Sequence, residues 1–383
     1  MPTVLVVAGE ASGDLHGSNL VRALKRRRPE VRLIGAGGER MREAGVELVR
    51  DATKHATVGI VEAFRNVASY AKLYRLLVSS LRHDRPDVVV LIDLPDFNIK
   101  FGRHVRDCGI PLVYYISPQV WAWRAGRVKT LARLVSRMLV IFEFEEAIYR
   151  KAGVDVRFVG HPLLDVIDAG GFRTDLRARL EVPAGGALIG LLPASRKEQF
   201  GRHAPLLLEA SARIRERLPE TRFALACAPT LDGALARRAV DQSGATGVTV
   251  VERQSYEVMA ASDLLLMASG TATVEATLFG TPMIVTYKTS ALNAMVFRTM
   301  SRVKHISMAN IIEGREVIPE FIQRRARPEL IAAEAVSMLD GGRLKQMRQE
   351  LARVRAKLGG PGASDRAAAE VLSFVSHQGS ALS

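Results

Sequence analysis

The chain has 383 residues, of which 48% are hydrophobic and 25% are charged, so it has the length of about two globular domains. No apolar run approaches the ~20 residues of a membrane-spanning helix, and we expect no secretory signal after Met1 because a basic region and a cleavage site are missing. Cys108 and Cys227 form no metal or disulfide pattern, which fits a reducing cytoplasm. The net charge of +14 favours nucleic acid, anionic lipid or a phosphorylated substrate as partner, or is simply a solvated surface.

Strand and helix signals alternate along the chain, which is typical of parallel sheets with crossover helices. The first half predicts a helix over 20–27 and strands at 3–8, 31–35, 88–92, 111–116 and 138–142. The second half predicts strands at 187–192, 222–227, 248–251, 264–267 and 282–287, and then a mostly helical region over 328–374. Residues 165–175, which include two adjacent glycines, read as a hinge or linker. The fold class is therefore α/β, with two doubly wound units and ligands expected at the carboxyl ends of their strands.

The stretch 268–276 organises the second half. Ser269, Gly270 and Thr271 form a small-residue turn between the strand 264–267 and a helix over 272–278, so backbone N–H groups there are able to approach a phosphate. Glu275 would lie one turn inside the helix, within reach of a sugar hydroxyl. The alternative is an ordinary strand-to-helix turn with a Ser/Thr cap.

Two loops of the first half carry several ionisable residues. Glu10, Asp14 and His16 share the loop 9–17, which is not a nucleotide-binding Walker loop because no Gly-Lys-Ser/Thr follows; the alternative is that they cap the next helix. Asp93 and Asp96 flank a proline after the buried strand 88–92. A carboxylate there would accept a proton from a sugar hydroxyl, and we expect that role for Asp96 and a structural role, such as a helix cap, for Asp93.

Two further loops follow predicted strands. Residues 117–124 contain both tryptophans of the chain, Trp121 and Trp123. These side chains either contact a ligand or form a hydrophobic clamp on the neighbouring helix. Residues 193–196 end in Arg196, whose guanidinium suits a diphosphate because it pairs bidentately and stays charged.

Two segments mix apolar and basic residues in a helical pattern, 60–81 and 290–305. Such helices lie on anionic membranes or hold acyl chains, although a core-facing helix with a charged outer face has the same pattern.

Taken together, the motifs resemble those of the lipid-A-disaccharide synthases, which are inverting glycosyltransferases of the GT-B architecture. The most specific of them is Ser-Pro-Gln-Val-Trp-Ala-Trp-Arg at 117–124, together with the N-terminal loop. The matching segments occur in this order: 8–14, 93–98, 117–124, 158–162, 192–196 and 268–275.

The resemblance implies two Rossmann-like domains that face a central cleft. Residues 1–165 would bind the acceptor, residues 166–350 the UDP-sugar, and the helical segment 351–383 would pack back on the first domain or be exchanged in a homodimer. The donor would be UDP-2,3-diacylglucosamine and the acceptor 2,3-diacylglucosamine 1-phosphate, which give a β-1,6-linked disaccharide phosphate and UDP. No cofactor, metal or nucleic acid is implied, and the enzyme would work peripherally on the anionic cytoplasmic face of the inner membrane of a Gram-negative bacterium.

The resemblance also implies site residues. Arg196, Ser269, Gly270 and Thr271 would hold the diphosphate, with Glu275 on the ribose and Asn310 near the same pocket. Asp96 would be the general base, and Glu10 and Asp14 would position sugars. The acceptor and acyl region would include Ser12, His16, Trp121 and Trp123.

The chain departs from the family pattern after its strand 187–192. The family usually has glycine where this chain has Ala194, and an acidic residue three positions after the arginine, where this chain has Glu198 two positions after it. Ala194 would limit how closely the backbone of this turn approaches a phosphate, and the shifted position of Glu198 means that the resemblance assigns it no role. The alternatives to the synthase are another UDP-sugar enzyme, a 2-epimerase or a transferase of peptidoglycan precursors, and a non-catalytic basic module that binds anions.

Overall fold

The computed structural model describes residues 1–9, 11–51, 60–121, 126–169, 172, 175–290 and 304–375. It divides the chain into two compact units, one of residues 1–165 with the chain from 358 onward and one of residues 166–357. The boundary expected after residue 350 falls inside the helix Arg343–Ala356, which belongs to the second unit.

The described residues of the first unit contain one seven-stranded parallel sheet. Its strands are β1 (Thr3–Ala8), β2 (Arg32–Gly37), β3 (Glu47–Asp51), β4 (Val88–Ile92), β5 (Leu112–Tyr115), β6 (Arg137–Val140) and β7 (Val156–Phe158). They lie in the order β3-β2-β1-β4-β5-β6-β7. The order reverses between β1 and β4, so the loops after these two strands diverge and leave room for a ligand.

Helices cover both faces of this sheet. Every side chain of β1 and β4 is therefore buried. Glycine at position 17 lets the first helix pack closely, since a Cβ there would be only 2.7 Å from the Met41 sulfur on the next helix and 3.4 Å from Ile92 in β4. The last helix of this series, Leu163–Ala169, overlaps the first part of the predicted linker 165–175 and crosses the boundary between the two units. The helices are α1 (Ala11–Arg27), α2 (Glu39–Glu43), α3 (Ile60–His83), α4 (Pro95–Asp107), α5 (Arg127–Ala132), α6 (Glu143–Lys151) and α7 (Leu163–Ala169).

The second unit repeats the plan with six parallel strands among its described residues. They are β8 (Leu188–Leu192), β9 (Arg222–Cys227), β10 (Val248–Glu252), β11 (Leu264–Ala268), β12 (Met283–Tyr287) and β13 (Glu320–Ile322). Their order is β10-β9-β8-β11-β12-β13, so the reversal lies between β8 and β11.

The helices of the second unit follow the same alternation. They are α8 (Leu176–Arg179), α9 (Lys197–Arg217), α10 (Gly233–Ser243), α11 (Ser255–Ala261), α12 (Ala272–Phe279), α13 (Met308–Glu313), α14 (Pro328–Asp340) and α15 (Arg343–Ala356), with a 3₁₀ turn at Gln323–Arg325. None of the helices in the described parts of the chain is long and apolar enough to cross a bilayer.

A last helix, α16 (Ala363–Leu372), returns to the first unit and packs on α1. Its N-terminus is capped by Asp165, whose carboxylate accepts hydrogen bonds from the N–H groups of Gly362 (2.6 Å) and Ser364 (3.0 Å). Arg137 at the start of β6 donates to Glu370 at 2.6 Å. These charge-assisted contacts explain why the end of the chain belongs to the first unit.

The turn after β8 contains a strained residue. Ala194 has a φ of 154°, in a region that glycine adopts freely and that costs an L-residue of order 1–3 kcal/mol. The glycine that the family usually has at this position would therefore remove strain.

We expect Ala194→Gly to raise the free energy of unfolding by about 1 kcal/mol, because relief of strain exceeds the entropy that glycine adds to the unfolded chain. Ala212→Gly is the matched control: it lies within α9, where glycine should lower stability by about 1 kcal/mol. Chemical denaturation followed by circular dichroism measures both variants. Equal losses of stability in the two glycine variants would contradict the strain at Ala194.

Candidate functional site

Asp14 joins two elements at the carboxyl edge of the first sheet. It is buried on α1, and its Oδ1 accepts hydrogen bonds from the N–H groups of Gly38 (2.7 Å) and Met41 (3.1 Å). Its Oδ2 accepts from Arg40 N–H at 3.2 Å. Both oxygens therefore bind the N-terminal turn of α2. Ser12 is exposed in the first turn of α1, and Glu10 lies outside the described residues.

His16 and His161 form a buried pair near this edge. Burial lowers the pKa of His16 to about 4, and burial together with the neighbouring His16 lowers that of His161 to about 3. Both rings are therefore neutral at pH 7. His161 Nδ1 accepts a hydrogen bond from Leu163 N–H at 3.3 Å, whereas His16 Nδ1 has no partner among the described residues. His16 is therefore a neutral hydrogen-bonding group that carries no charge at pH 7.

The turn after β4 is strained. Asp93 and Leu94 both have positive φ, 52° and 47°, which residues other than glycine rarely adopt. The Asp93 carbonyl holds this turn in place by accepting hydrogen bonds from Asn98 Nδ2 (2.6 Å) and the Tyr114 hydroxyl (2.5 Å). Burial raises the pKa of the Asp93 carboxyl. Strain of this kind is typical of functional sites.

Asp96 lies where this turn becomes a helix. It follows Pro95, the first residue of α4, and its side chain is 77% exposed. Its Oδ1 accepts a hydrogen bond from Arg127, the first residue of α5. The strained turn and the ion pair together fix an exposed carboxylate at the reversal point of the first sheet.

The loop after β5 is organised by a residue that the sequence analysis missed. Ser117 and Trp121 both donate hydrogen bonds to Oε1 of Glu145, at 2.6 and 3.1 Å. Glu145 belongs to α6 and is 1% exposed, and burial raises its pKa to about 7. The glutamates in the first turn of α6 are typical of a helix start. The sequence near them gives no indication that one of them binds a loop 24 residues earlier. Trp123 lies outside the described residues.

In the second unit, Arg196 stands at the reversal point. It is the N-cap residue of α9 and is exposed, directly after the turn that contains Ala194. The carbonyl of Ser195 accepts a hydrogen bond from the Thr230 hydroxyl at 2.6 Å, which ties this turn to the loop after β9. Glu198 pairs with Arg202 at 2.7 Å one turn further along α9.

The neighbouring strand β11 leads into the turn at Ser269. The Ser269 hydroxyl donates to the Ile306 carbonyl at 2.9 Å. A Cβ on Gly270 would meet nothing within 4 Å, so this turn has open space on one side. Thr271 is the N-cap residue of α12 and makes no side-chain capping hydrogen bond. The N–H groups of Thr273 and Val274 donate to the carbonyls of Gly270 (3.1 Å) and Thr271 (2.9 Å), so the positive end of the helix begins at the Gly270–Thr271 turn. The arrangement suits a phosphate group.

Glu275 lies in the first turn of α12, and a second missed residue orients it. The Tyr256 hydroxyl donates to Glu275 Oε1 at 2.9 Å, and burial raises the pKa of the carboxyl. Tyr256 is itself packed edge-on against Phe172, with ring centroids 5.0 Å apart. One carboxylate oxygen is therefore positioned by the tyrosine.

Asn310 is buried, and its side-chain amide makes hydrogen bonds within the fold. Its Oδ1 accepts from Val317 N–H (2.7 Å) and Ile318 N–H (3.0 Å), and its Nδ2 donates to Glu320 Oε1 and the Ile318 carbonyl, each at 2.9 Å. The same Glu320 oxygen accepts from the Ser307 hydroxyl at 2.6 Å. Asn310 thus affects the turn at Ser269 indirectly, because it fixes the segment around Ile306 that Ser269 contacts.

Of the predicted residues, the structure places Arg196 and the Ser269–Glu275 group after adjacent strands of one sheet. Asp14, His16 and Asp96 follow adjacent strands of the other. Among the described residues no group of three His, Cys, Asp or Glu side chains has the arrangement of a metal site.

Comparison with known proteins identifies the family. The family model described as lipid-A-disaccharide synthetase matches residues 4–373. The lipid-A-disaccharide synthase of Syntrophus aciditrophicus is 44% identical over 373 residues, 97% of each chain. That of Geobacter sulfurreducens is 42% identical over 377 residues, 98% of each chain.

Solved structures share the fold at low sequence identity. UDP-GlcNAc 2-epimerase from Neisseria meningitidis, bound to UDP-GlcNAc, has a TM-score of 0.63 at 13% identity over 97% of this chain and 100% of its own. The calicheamicin glycosyltransferase has a TM-score of 0.63 at 16% identity over 99% of each chain. The predicted α/β fold with two Rossmann-like domains is thereby confirmed.

The relatives also confirm the expected enzyme class, a glycosyltransferase of lipid A synthesis, and do not favour the epimerase, the peptidoglycan-precursor transferase or the non-catalytic module. Matches of this length and identity show that the chain belongs to the lipid-A-disaccharide synthase family.

Proposed function

We propose that the chain transfers the sugar of UDP-2,3-diacylglucosamine to 2,3-diacylglucosamine 1-phosphate, with formation of a β-1,6 linkage and release of UDP. The observation that carries this proposal is the family match over residues 4–373, which includes the loops at both reversal points. The turns after β8 and β11 suit the binding of a nucleotide diphosphate. The exposed carboxylate after β4 suits a group that accepts a proton.

The donor nucleotide would bind the second unit. Arg196 would pair with the diphosphate, and the Gly270–Thr271 turn would direct its N–H groups at the same phosphates. Glu275, oriented by Tyr256, would accept a hydrogen bond from a ribose hydroxyl. The Neisseria structure of the same fold, solved with UDP-GlcNAc, supports a UDP-sugar as the ligand.

The chemistry would be a single displacement. Asp96 would take the proton of the acceptor's 6-hydroxyl as its oxygen attacks the anomeric carbon, and the bond from that carbon to the diphosphate oxygen would break. Arg196 and the N-terminus of α12 would stabilise the negative charge that develops on UDP. Arg127 would keep Asp96 oriented, while Ser12, His16, Trp121 and Trp123 would contact the acceptor or its acyl chains, and Glu10 and Asp14 would position sugars directly or through the backbone.

The exposed side of α3 supports peripheral attachment to the cytoplasmic face of an anionic inner membrane. It carries Lys72, Arg75 and Arg82 together with Leu76, an apolar side chain that is 37% exposed. Each basic residue near anionic lipid contributes about 1 kcal/mol. The acylated substrates would reach the enzyme from the same surface. A homodimer with exchanged C-terminal segments is part of the proposal that rests on family resemblance alone.

We expect Arg196→Ala to weaken binding of UDP about tenfold or more, the range for loss of a hydrogen bond to a charged group. Isothermal titration calorimetry with UDP alone measures this without the lipid substrates. Arg202→Ala is the control, since Arg202 lies on the same helix and pairs with Glu198. The assignment fails if both variants keep the affinity of the unmodified protein.

Asp96→Asn should lower the rate of disaccharide phosphate formation by about 100-fold or more, because the amide cannot accept the proton. Affinity for UDP should stay unchanged. Asp107→Asn, at the other end of α4, is the control and should keep full activity. Parallel losses of turnover and UDP affinity in Asp96→Asn would point to a folding or binding role instead. Loss of turnover in Asp93→Asn, but not in Asp96→Asn, would move the base to the neighbouring carboxyl.

A further inference from the structure

Glu145 is a buried carboxylate that binds the loop after β5 as well as the N-terminus of its own helix. Its Oε1 accepts the Ser117 hydroxyl and the Trp121 indole N–H, and its Oε2 accepts the backbone N–H of Phe142 at 3.3 Å. The last contact closes the N-terminus of α6. The first two come from Ser117 and Trp121, so a single oxygen holds two points of the loop after β5.

This loop begins beside a strained residue, and its indole is only partly packed. Ile116, which leads into it, has a φ of 64°, a conformation that a β-branched residue adopts only when its surroundings impose it. The Trp121 ring packs edge-on against Phe144, with centroids 5.2 Å apart, and remains half-buried. Ring packing alone leaves the indole free to rotate, whereas the hydrogen bond from Nε1 fixes its direction.

Burial of a carboxylate is costly unless hydrogen bonds compensate for the lost water. Three donors match the acceptor-only character of an ionised carboxylate, and a carboxamide offers only one oxygen for them. Tyr149, one turn along α6, is the titratable group of the described residues that faces this carboxylate.

We infer that Glu145 is a positioning residue for the acceptor, which fixes Trp121 and the loop 117–121 in the conformation that contacts the acceptor sugar. This inference relies on the proposed function only for the assignment of the loop to the acceptor. The link between Glu145 and the loop is testable without any substrate.

Tryptophan fluorescence reports on this loop directly, because Trp121 and Trp123 are the two tryptophans of the chain. In a Trp123→Phe background the emission comes from Trp121 alone. Glu145→Gln should shift that emission to longer wavelength, since an indole released from the carboxylate becomes more solvated. Glu143→Gln is the matched control, an exposed glutamate two residues earlier on the same helix, and should leave the emission unchanged.

The same emission should depend on pH. Burial raises the pKa of Glu145 to about 7, so the carboxylate loses its charge as the pH falls through this value. Protonation removes the negative charge that strengthens the three accepted hydrogen bonds and adds an O–H donor beside them, which weakens the hold on the Trp121 indole. The Trp121 emission should therefore titrate with a midpoint near pH 7, and Glu145→Gln should abolish that transition.

With both tryptophans present, Glu145→Gln should raise the KM for 2,3-diacylglucosamine 1-phosphate about tenfold while affinity for UDP is unchanged. If circular dichroism shows that this variant does not fold, Ser117→Ala replaces it in the experiment. Ser117→Ala removes the 2.6 Å hydrogen bond to Glu145 and should change the emission and the KM in the same direction.

An unchanged emission spectrum and an unchanged KM would overturn the inference, and so would equal losses of acceptor and UDP binding. An unmodified protein that forms no disaccharide phosphate would instead overturn the proposed function, and the fluorescence would still decide whether Glu145 holds the loop.

Discussion

The reversal of strand order in each parallel sheet determines where chemistry is possible in this chain. Between β1 and β4, and again between β8 and β11, the connections leave the sheet in opposite directions, so the loops there cannot cover the strand ends. Asp96 and Arg196 follow two of these four strands, and Glu275 follows a third. The sites of proton transfer and of diphosphate binding in our proposal thus follow from topology, and the side chains supply only the reactive groups.

Buried polar side chains then hold these loops in one conformation. Asp14 binds α2, Asn98 and Tyr114 fix the strained turn at Asp93, and Glu145 clamps the tryptophan loop. In the second unit Glu320 and Asn310 fix the segment that Ser269 contacts. A buried carboxylate or amide is tolerated when its hydrogen bonds are satisfied, and its removal would leave several donors without partners.

The sequence was sufficient for the strands that form the centre of each sheet. The strands Thr3–Ala8, Val88–Ile92 and Arg222–Cys227 have the predicted bounds, because unbroken apolar runs are typical of strands buried on both faces. The missed strands, β3, β7 and β13, all lie at sheet edges, where polar residues interrupt the pattern and pairing with one neighbour decides the structure.

Long-range contacts limited the prediction of the site. The positions of Asp96, Arg196 and Glu275 follow from strand ends and could be expected from sequence. Glu145 and Tyr256 could not, because their partners lie 24 and 19 residues away on other elements. The backbone of Ala194 was foreseen only as a departure from the family pattern, and its positive φ gives the physical reason for the usual glycine.

Donor discrimination tests the central claim most directly. The unmodified protein, with 2,3-diacylglucosamine 1-phosphate in detergent micelles, would be given either UDP-2,3-diacylglucosamine or UDP-N-acetylglucosamine, and disaccharide phosphate formation would be followed. The account predicts product from the acylated donor alone. Product from the unacylated donor at a similar rate, or no product from either donor while UDP still binds, would contradict it.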